Sequence, residues 1–319
     1  MLVPVVIFAF NRPKHIADLM TSLSLNPEAS ETEIFVYIDG PRNENDKIKL
    51  IDVSKNISKF QEKFAKINII KRTTNYGSAL NIVTGISEQF NTYNALIILE
   101  DDLIVSKKFL SYMNTSLTTY ENERQVFHIS AYSDFLSTSS LVTCHFSSGM
   151  NCWGWGTWKD RWLHFDNQNI EFIMRSILPE KYKFNFDNSH DFFLQLDENK
   201  HGIMKTWAIF WYAAIFLNSG LSLNPSLPLA INRGNDGTGE RHGNSTFNDD
   251  IRCLVEQQDI KFPNLVQFDL SFYNKQVDFY RSRKSFINEI IKTVIYKIIP
   301  IKHRKKVIQK LLSIRRRFC

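Results

Sequence analysis

The sequence predicts an α/β fold: a mostly parallel sheet with helices on both faces. Two observations carry this. Apolar runs at 2–10, 34–38, 67–71 and 95–99 alternate with stretches of helical spacing at 15–25, 47–64 and 78–90. The runs at 2–10, 34–38 and 95–99 are continuous instead of alternating with polar residues, as strands buried on both faces require. Alternating strands and helices of this kind imply parallel pairing.

Each element has its own signal. The first apolar run stops at Asn11-Arg12-Pro13, and Ile16, Leu19, Met20 and Leu23 then recur on one helical face. The second run ends at Asp39-Gly40-Pro41, a good turn in itself. Ile48, Ile51 and Ile57 mark the next helix, and 67–71 the third strand. After the helix at 78–90, the fourth run passes directly into Glu100-Asp101-Asp102. Polar or charged residues thus leave three strand ends together, and ligands of open α/β sheets bind at carboxyl ends of strands. Beyond about residue 125 the alternation weakens. Aromatic-rich segments at 144–166 and 205–231 and a polar, glycine-rich stretch at 232–246 follow. The expected organisation is 1–125 as a nucleotide-binding half, 126–270 as an acceptor-binding half with aromatic-rich loops, and 271–319 as a basic amphipathic tail.

With 43% hydrophobic residues, the chain can bury a sizeable core. The net charge of +6 is uneven: residues 281–319 hold thirteen Lys/Arg against one acid, Glu289, so the tail is strongly basic and the body mildly acidic. Ile287, Ile290, Ile291, Val294, Ile295 and Ile298 share a helical face before Pro300. Regular apolar spacing among basic residues fits an anionic membrane surface better than nucleic acid. Four scattered cysteines give neither a zinc pattern nor a disulfide framework. The first residues have an apolar run but no basic segment before it or cleavage site after it. The expected location is the cytoplasm, peripheral to the inner face of the plasma membrane.

Three adjacent acids repel one another, so a cation is a physical reason to place Glu100-Asp101-Asp102 at a strand end. Oxygen ligands suit magnesium or manganese held together with substrate phosphates. A solvated acidic turn is the plainer alternative. Asp39 could accept hydrogen bonds from a nucleobase or ribose, or simply shape its turn. Arg12 and Arg72 could pair with a diphosphate or be ordinary surface arginines. Cys152-Trp153-Gly154-Trp155-Gly156-Thr157-Trp158 is an awkward pattern for a strand or helix. It reads as the wall of a sugar pocket, with core packing as the alternative. Residues 232–243 read as a lid, with Arg241 or His242 reaching phosphates, or as an ordinary loop. Dinucleotide-binding, P-loop, zinc-protease and nucleophile-elbow motifs are missing.

These residues resemble GT-A-fold glycosyltransferases of the bacterial family-two-like kind, which also resemble N-acetylglucosaminyltransferase I. The carriers are Phe8-Ala9-Phe10-Asn11-Arg12-Pro13, Asn75-Tyr76-Gly77, Glu100-Asp101-Asp102, the Trp segment with Arg161-Trp162, and Asp236-Gly237-Thr238-Gly239. The resemblance implies inverting transfer of a hexosyl or N-acetylhexosaminyl group from a nucleotide sugar, usually a UDP-sugar, to a glycan or glycolipid acceptor. Manganese or magnesium is the implied cofactor. By position, Asp102 would bind the metal, Glu100 and Asp101 the donor, and Asp39 the base or ribose, with Asn11, Arg12, Arg72 and Asn75 completing the donor site. The related enzymes carry their catalytic acid in a Trp-flanked segment. Here that segment is Trp207-Ala208-Ile209-Phe210-Trp211, with no acid, so Asp191 is the candidate base. Two alternatives are a sugar-1-phosphate nucleotidyltransferase, disfavoured because Asn11-Arg12-Pro13 stands where its glycine-rich loop would be, and a non-catalytic carbohydrate-binding protein.

Overall fold

A computed structural model describes residues 2–133, 142–234 and 259–283. The tail from 284 and the lid segment from 235, with Arg241 and His242, lie outside these residues.

The strands are β1 Val5–Ala9, β2 Glu33–Ile38, β3 Lys66–Lys71, β4 Ala95–Glu100, β5 Leu103–Val105, β6 Val126–Ser130, β7 Val142–Ser147, β8 Trp155–Trp158, β9 Leu221–Pro225, β10 Ala230–Asn232 and β11 Ile260–Lys261. The α-helices are α1 Pro13–Ser24, α2 Glu44–Ser58, α3 Ser78–Gln89, α4 Phe109–Thr119, α5 Lys159–Trp162, α6 Ile170–Ile177, α7 Lys181–Phe184, α8 Phe192–Lys200, α9 Ala208–Leu217 and α10 Leu270–Ser282. The chain divides into two compact units, one made of residues up to Phe165 with Ala214–Tyr273, the other of Asp166–Ala213 with the chain from Asn274.

The first unit holds a nine-stranded sheet in the order β11-β7-β9-β6-β8-β4-β1-β2-β3. Pairing is parallel across β4-β1-β2-β3, so the four expected strands form as the apolar runs dictate. Val5, Val6 and Ile7 are fully buried, and each such side chain contributes roughly 1.5–3 kcal/mol on burial. The chain moves from β1 outward to β2 and β3, then returns to lay β4 on the other side of β1. That reversal opens a crevice at the carboxyl ends of β1 and β4. Helix α1 starts at Pro13, whose fixed φ suits a first turn. Helix α2 starts earlier than the apolar pattern, because the Asn43 side chain caps the Asp46 amide.

The Trp segment differs from the expected loop. Trp155–Trp158 forms β8, antiparallel to both β4 and β6. Gly156 makes this possible, since a Cβ there would press on Leu117 and on the Leu96 carbonyl, each 3.1 Å away. Trp155, Trp158 and Trp162 are buried, and the Trp158 and Trp162 N–H groups donate to Leu117 O (3.1 Å) and Ser87 Oγ (3.0 Å). Core packing claims these three rings, while Trp153 stays half-buried against Tyr132.

The second unit packs Phe184, Phe186, Phe192, Tyr212 and Tyr280 into an aromatic cluster. Phe186, Asp187 and Asn188 all have left-handed φ, 49°, 51° and 56°, a costly run for non-glycine residues. No described helix is long and apolar enough to cross a membrane.

Candidate active site

The crevice at the carboxyl ends of β1 and β4 is lined by what leaves those strands. The Asp101 amide donates to Phe8 O, and its Oδ2 accepts from the Phe10 amide, both at 3.0 Å. These bonds tie the acidic turn to the end of β1. Asp101 is buried, and its carboxyl is raised well above the usual carboxylate range, first by burial and then by the Asp102 charge. Arg12 and the Phe10 amide oppose that rise. Arg12 Nη1 lies 2.9 Å from Asp102 Oδ2 and 3.7 Å from Asp101 Oδ1.

The other side of the acid turn comes from far along the chain. β10 pairs antiparallel with β5, placing Asn232 opposite Leu103. The Asn232 amide donates to Asp102 Oδ1 (3.1 Å), and the Arg233 N–H donates to the Asp102 carbonyl (2.7 Å). Gly234 lies against the Asp102 carboxylate so closely that a Cβ there would collide with Oδ2. Sequence reading grouped Asn232 and Gly234 with a lid and missed their place at the acids. The one available signal was the apolar run that ends at Asn232.

Asp39 directly follows β2 and is buried. Oδ1 accepts from the Gly40 and Tyr76 amides (both 2.8 Å), and Oδ2 from the Gly77 amide (2.9 Å) and Asn75 Nδ2 (3.1 Å). Gly40 packs on the backbone of Thr74 with no room for a side chain. Asp39 thus joins the loops after β2 and β3, with Asn75 part of the joint. Arg72 lies along α3, donating to Asn81 (3.1 Å), Thr84 (3.1 Å) and Glu88 (2.9 Å), with its guanidinium over Tyr37 and Tyr76. Asn11 donates to Asp46, whose carboxyl is lowered to about 2, chiefly by the side-chain hydrogen bond from Arg42. Asp191, in the second unit, is exposed and caps α8, its Oδ1 accepting from the Leu194 amide and Asn185 Nδ2, both at 3.1 Å.

Of the expected residues, Arg12, Glu100, Asp101 and Asp102 meet at the β1–β4 crevice, and Asp39 and Asn75 meet at the β2–β3 ends. The donor set at Asp102 fits a hard cation in part. Each of its oxygens accepts one of the hydrogen bonds described, and a carboxylate has lone pairs beyond those two. Among the described residues no group of three or more His, Cys, Asp or Glu side chains could hold an ion. Phosphate oxygens and water would have to supply most of the ligands, as is usual for magnesium at substrate phosphates.

No curated protein matches the sequence. Among solved structures, TarS 1–349 of S. aureus is similar at 12% identity and a TM-score of 0.35, over 50% of this chain and 48% of that one. The chain spans 21% of a longer TarS structure. The mannosyltransferase PcManGT from Pyrobaculum calidifontis, in complex with GDP-Man and Mn2+, is similar at 8% identity and a TM-score of 0.37, over 67% and 69%. Glucosyl-3-phosphoglycerate synthase from Mycobacterium tuberculosis, with Mn2+, UDP and glucosyl-3-phosphoglycerate, is similar at 12% and 0.31, over 50% and 57%. The family model "Glycosyl transferase family 2" matches residues 5–178, from β1 through the acid turn to the end of α6. More than half of the sequence lies within that match, and the chain belongs to glycosyl transferase family 2.

Proposed function

We propose that this glycosyltransferase moves a hexosyl or N-acetylhexosaminyl group from a UDP-sugar to a hydroxyl of a cell-surface glycan or lipid-linked acceptor, inverting the anomeric centre. The observation that carries the reading is the convergence of Arg12, Asp101, Asp102 and Asn232 at the sheet's switch point. A divalent cation on Asp102, manganese or magnesium, would supply positive charge against the nucleoside diphosphate leaving group. Arg12 offers the planar fork that matches phosphate oxygens. Asp101, fixed by the Phe10 amide, orients the turn, and Glu100 adds a second carboxylate for the donor sugar. Asp39 and Asn75 hold the two loops that would border the nucleoside, with Asn11 and Arg72 on the neighbouring walls. Asp191 is the proposed base that takes the proton from the acceptor hydroxyl. The basic tail would hold the enzyme at an anionic membrane surface.

Calorimetry with UDP, with manganese and then with EDTA, tests the donor and cation together. Binding that needs the cation is expected. Equal affinity in EDTA would remove the cation from the mechanism. Donor hydrolysis with manganese separates an enzyme from a protein that only binds carbohydrate.

A further inference from the structure

We propose that Thr143, His145 and Asp269 form a second catalytic site, apart from the acid turn, in which Thr143 attacks small carboxylic esters and is freed again by water.

Thr143 and His145 stand two positions apart on β7, so both side chains leave the same face of the strand. Thr143 Oγ1 lies 2.8 Å from His145 Nε2, and His145 Nδ1 lies 2.8 Å from Asp269 Oδ2. Asp269 comes from 124 positions further along, directly before α10, where its Oδ1 accepts from the Phe272 amide (2.9 Å). Burial pushes the Asp269 carboxyl up, but the hydrogen bonds from Phe272 and His145 outweigh it and hold the group below its ordinary value. An ionised carboxylate only accepts, so Nδ1 carries the proton and Nε2 presents its lone pair to the Thr143 hydroxyl. The Phe272 ring lies nearly parallel to the imidazole, 4.7 Å away at 11°, and fixes its plane. Nucleophile, base and orienting acid thus stand as they do in a hydroxyl-activating triad.

A purely structural knot needs no access to solvent, yet this one has it. The His145 and Asp269 side chains are 26% and 33% exposed, and Thr143 is half-buried. Ser226 adds a donor beside Thr143. Its Oγ accepts the Thr143 amide (3.0 Å), and its own proton has no acceptor among the described residues, so it can turn to a carbonyl oxygen that becomes negative. Four strand spacings separate β7 from β4 in the sheet, roughly 19 Å at about 4.8 Å each, too far to share reacting atoms with the acid turn. In the reaction, Thr143 Oγ bonds to the ester carbonyl carbon as its proton passes to Nε2. The bond from that carbon to the alkoxy oxygen then breaks, and the alcohol leaves with the proton. Water repeats the sequence, giving its proton to Nε2 and its oxygen to the carbonyl carbon, and Thr143 leaves reprotonated. Ester and water become acid and alcohol, with no further reactant.

The test uses the full chain and p-nitrophenyl acetate. Released p-nitrophenol gives the rate, and peptide mass spectrometry locates the acetyl group. Wild type should carry acetyl on Thr143 during turnover. Thr143→Val keeps the shape and should lose both the adduct and the catalysed release, while Thr143→Ser should keep both. His145→Gln should slow release by about 10²-fold or more, the worth of a general base. It carries the test if Thr143→Val fails to fold by circular dichroism. Asp269→Asn retains a capping side chain for α10 and should lower kcat at unchanged KM, as nitrogen NMR shows the imidazole proton leaving Nδ1 for Nε2. Equal release from wild type and Thr143→Val, or acetyl groups on lysines alone, overturns the proposal. Wild-type rates in His145→Gln or Asp269→Asn overturn the triad.

Discussion

Replacing Gly234 with alanine should separate activity from stability. The backbone of Gly234 is outside the left-handed region, so alanine meets no conformational penalty there. Restricting the unfolded chain contributes about 0.4–1 kcal/mol, which the displaced Asp102 contacts should offset, so stability should change little. The new methyl group, however, would collide with Asp102 Oδ2 and lie 3.0 Å from Cγ and 3.1 Å from Asn232 Oδ1. Ordinary contact of such atoms is near 3.5 Å, so the carboxylate must swing away by roughly 1 Å. A misplacement of that size at a reacting centre costs about 10²-fold in rate, or about 2.7 kcal/mol of barrier. Turnover of a UDP-sugar donor and a denaturant melt on the same preparation measure both effects. Gly202→Ala is the mirrored control: Gly202 has φ +63° and open space around it, so alanine there should lower stability by roughly 1 kcal/mol and spare activity. Full turnover in Gly234→Ala would refute the placement of residue 234 at the acid centre.

Asp102→Asn should keep the fold and lower turnover by about 10²-fold or more, read from initial rates with manganese; near-normal rates would sink the assignment. Asp39→Ala removes the acceptor of four hydrogen bonds and should cost on the order of 3 kcal/mol, with faster amide exchange at Gly40, Tyr76 and Gly77; unchanged exchange would mean the two loops hold without it. His128 is buried against Trp155, and burial pushes its ring down to about 3. The unfolded chain therefore binds the extra proton between about pH 6.5 and 3, and stability should fall by ~2 kcal/mol from pH 7 to pH 5. Denaturant melts across that range should show a slope that flattens in His128→Gln, and an equal slope in both chains would exclude His128 as its source. Full chain should co-sediment with anionic vesicles, less so in high salt, while a chain ending at Tyr280 should not; equal behaviour of the two would argue against the tail as an anchor.

β3, at the sheet edge and only partly buried, showed through Ile67, Ile69 and Ile70, and β1, β2 and β4 were legible because a strand buried on both faces writes itself as a local apolar run. The acid turn was legible for the same reason, since Glu100 ends such a run. Pairing between distant segments leaves no such mark. Nothing near Asp102 in sequence announces Asn232, and β8 breaks the usual strand composition because its glycine answers to Leu117 and the Leu96 carbonyl, which only the fold brings near. Arg72 and Asp39 show a further limit. Their hydrogen-bond partners on α3 and on the Thr74–Gly77 loop are set by packing geometry, which residue type does not encode.

The pairing of β10 with β5 also bears on how the protein comes into being. Asn232 follows Asp102 by 130 positions, and the family match ends at residue 178, before Asn232 or Gly234. β9, too, must slot between β6 and β7, both made before it. During synthesis the nascent chain therefore carries a sheet with unfilled edges and an unfinished acid centre until Asn232 is out. Premature termination or a nick in that interval would release a fragment that retains the family's recognisable sequence but lacks the contacts that set its carboxylate.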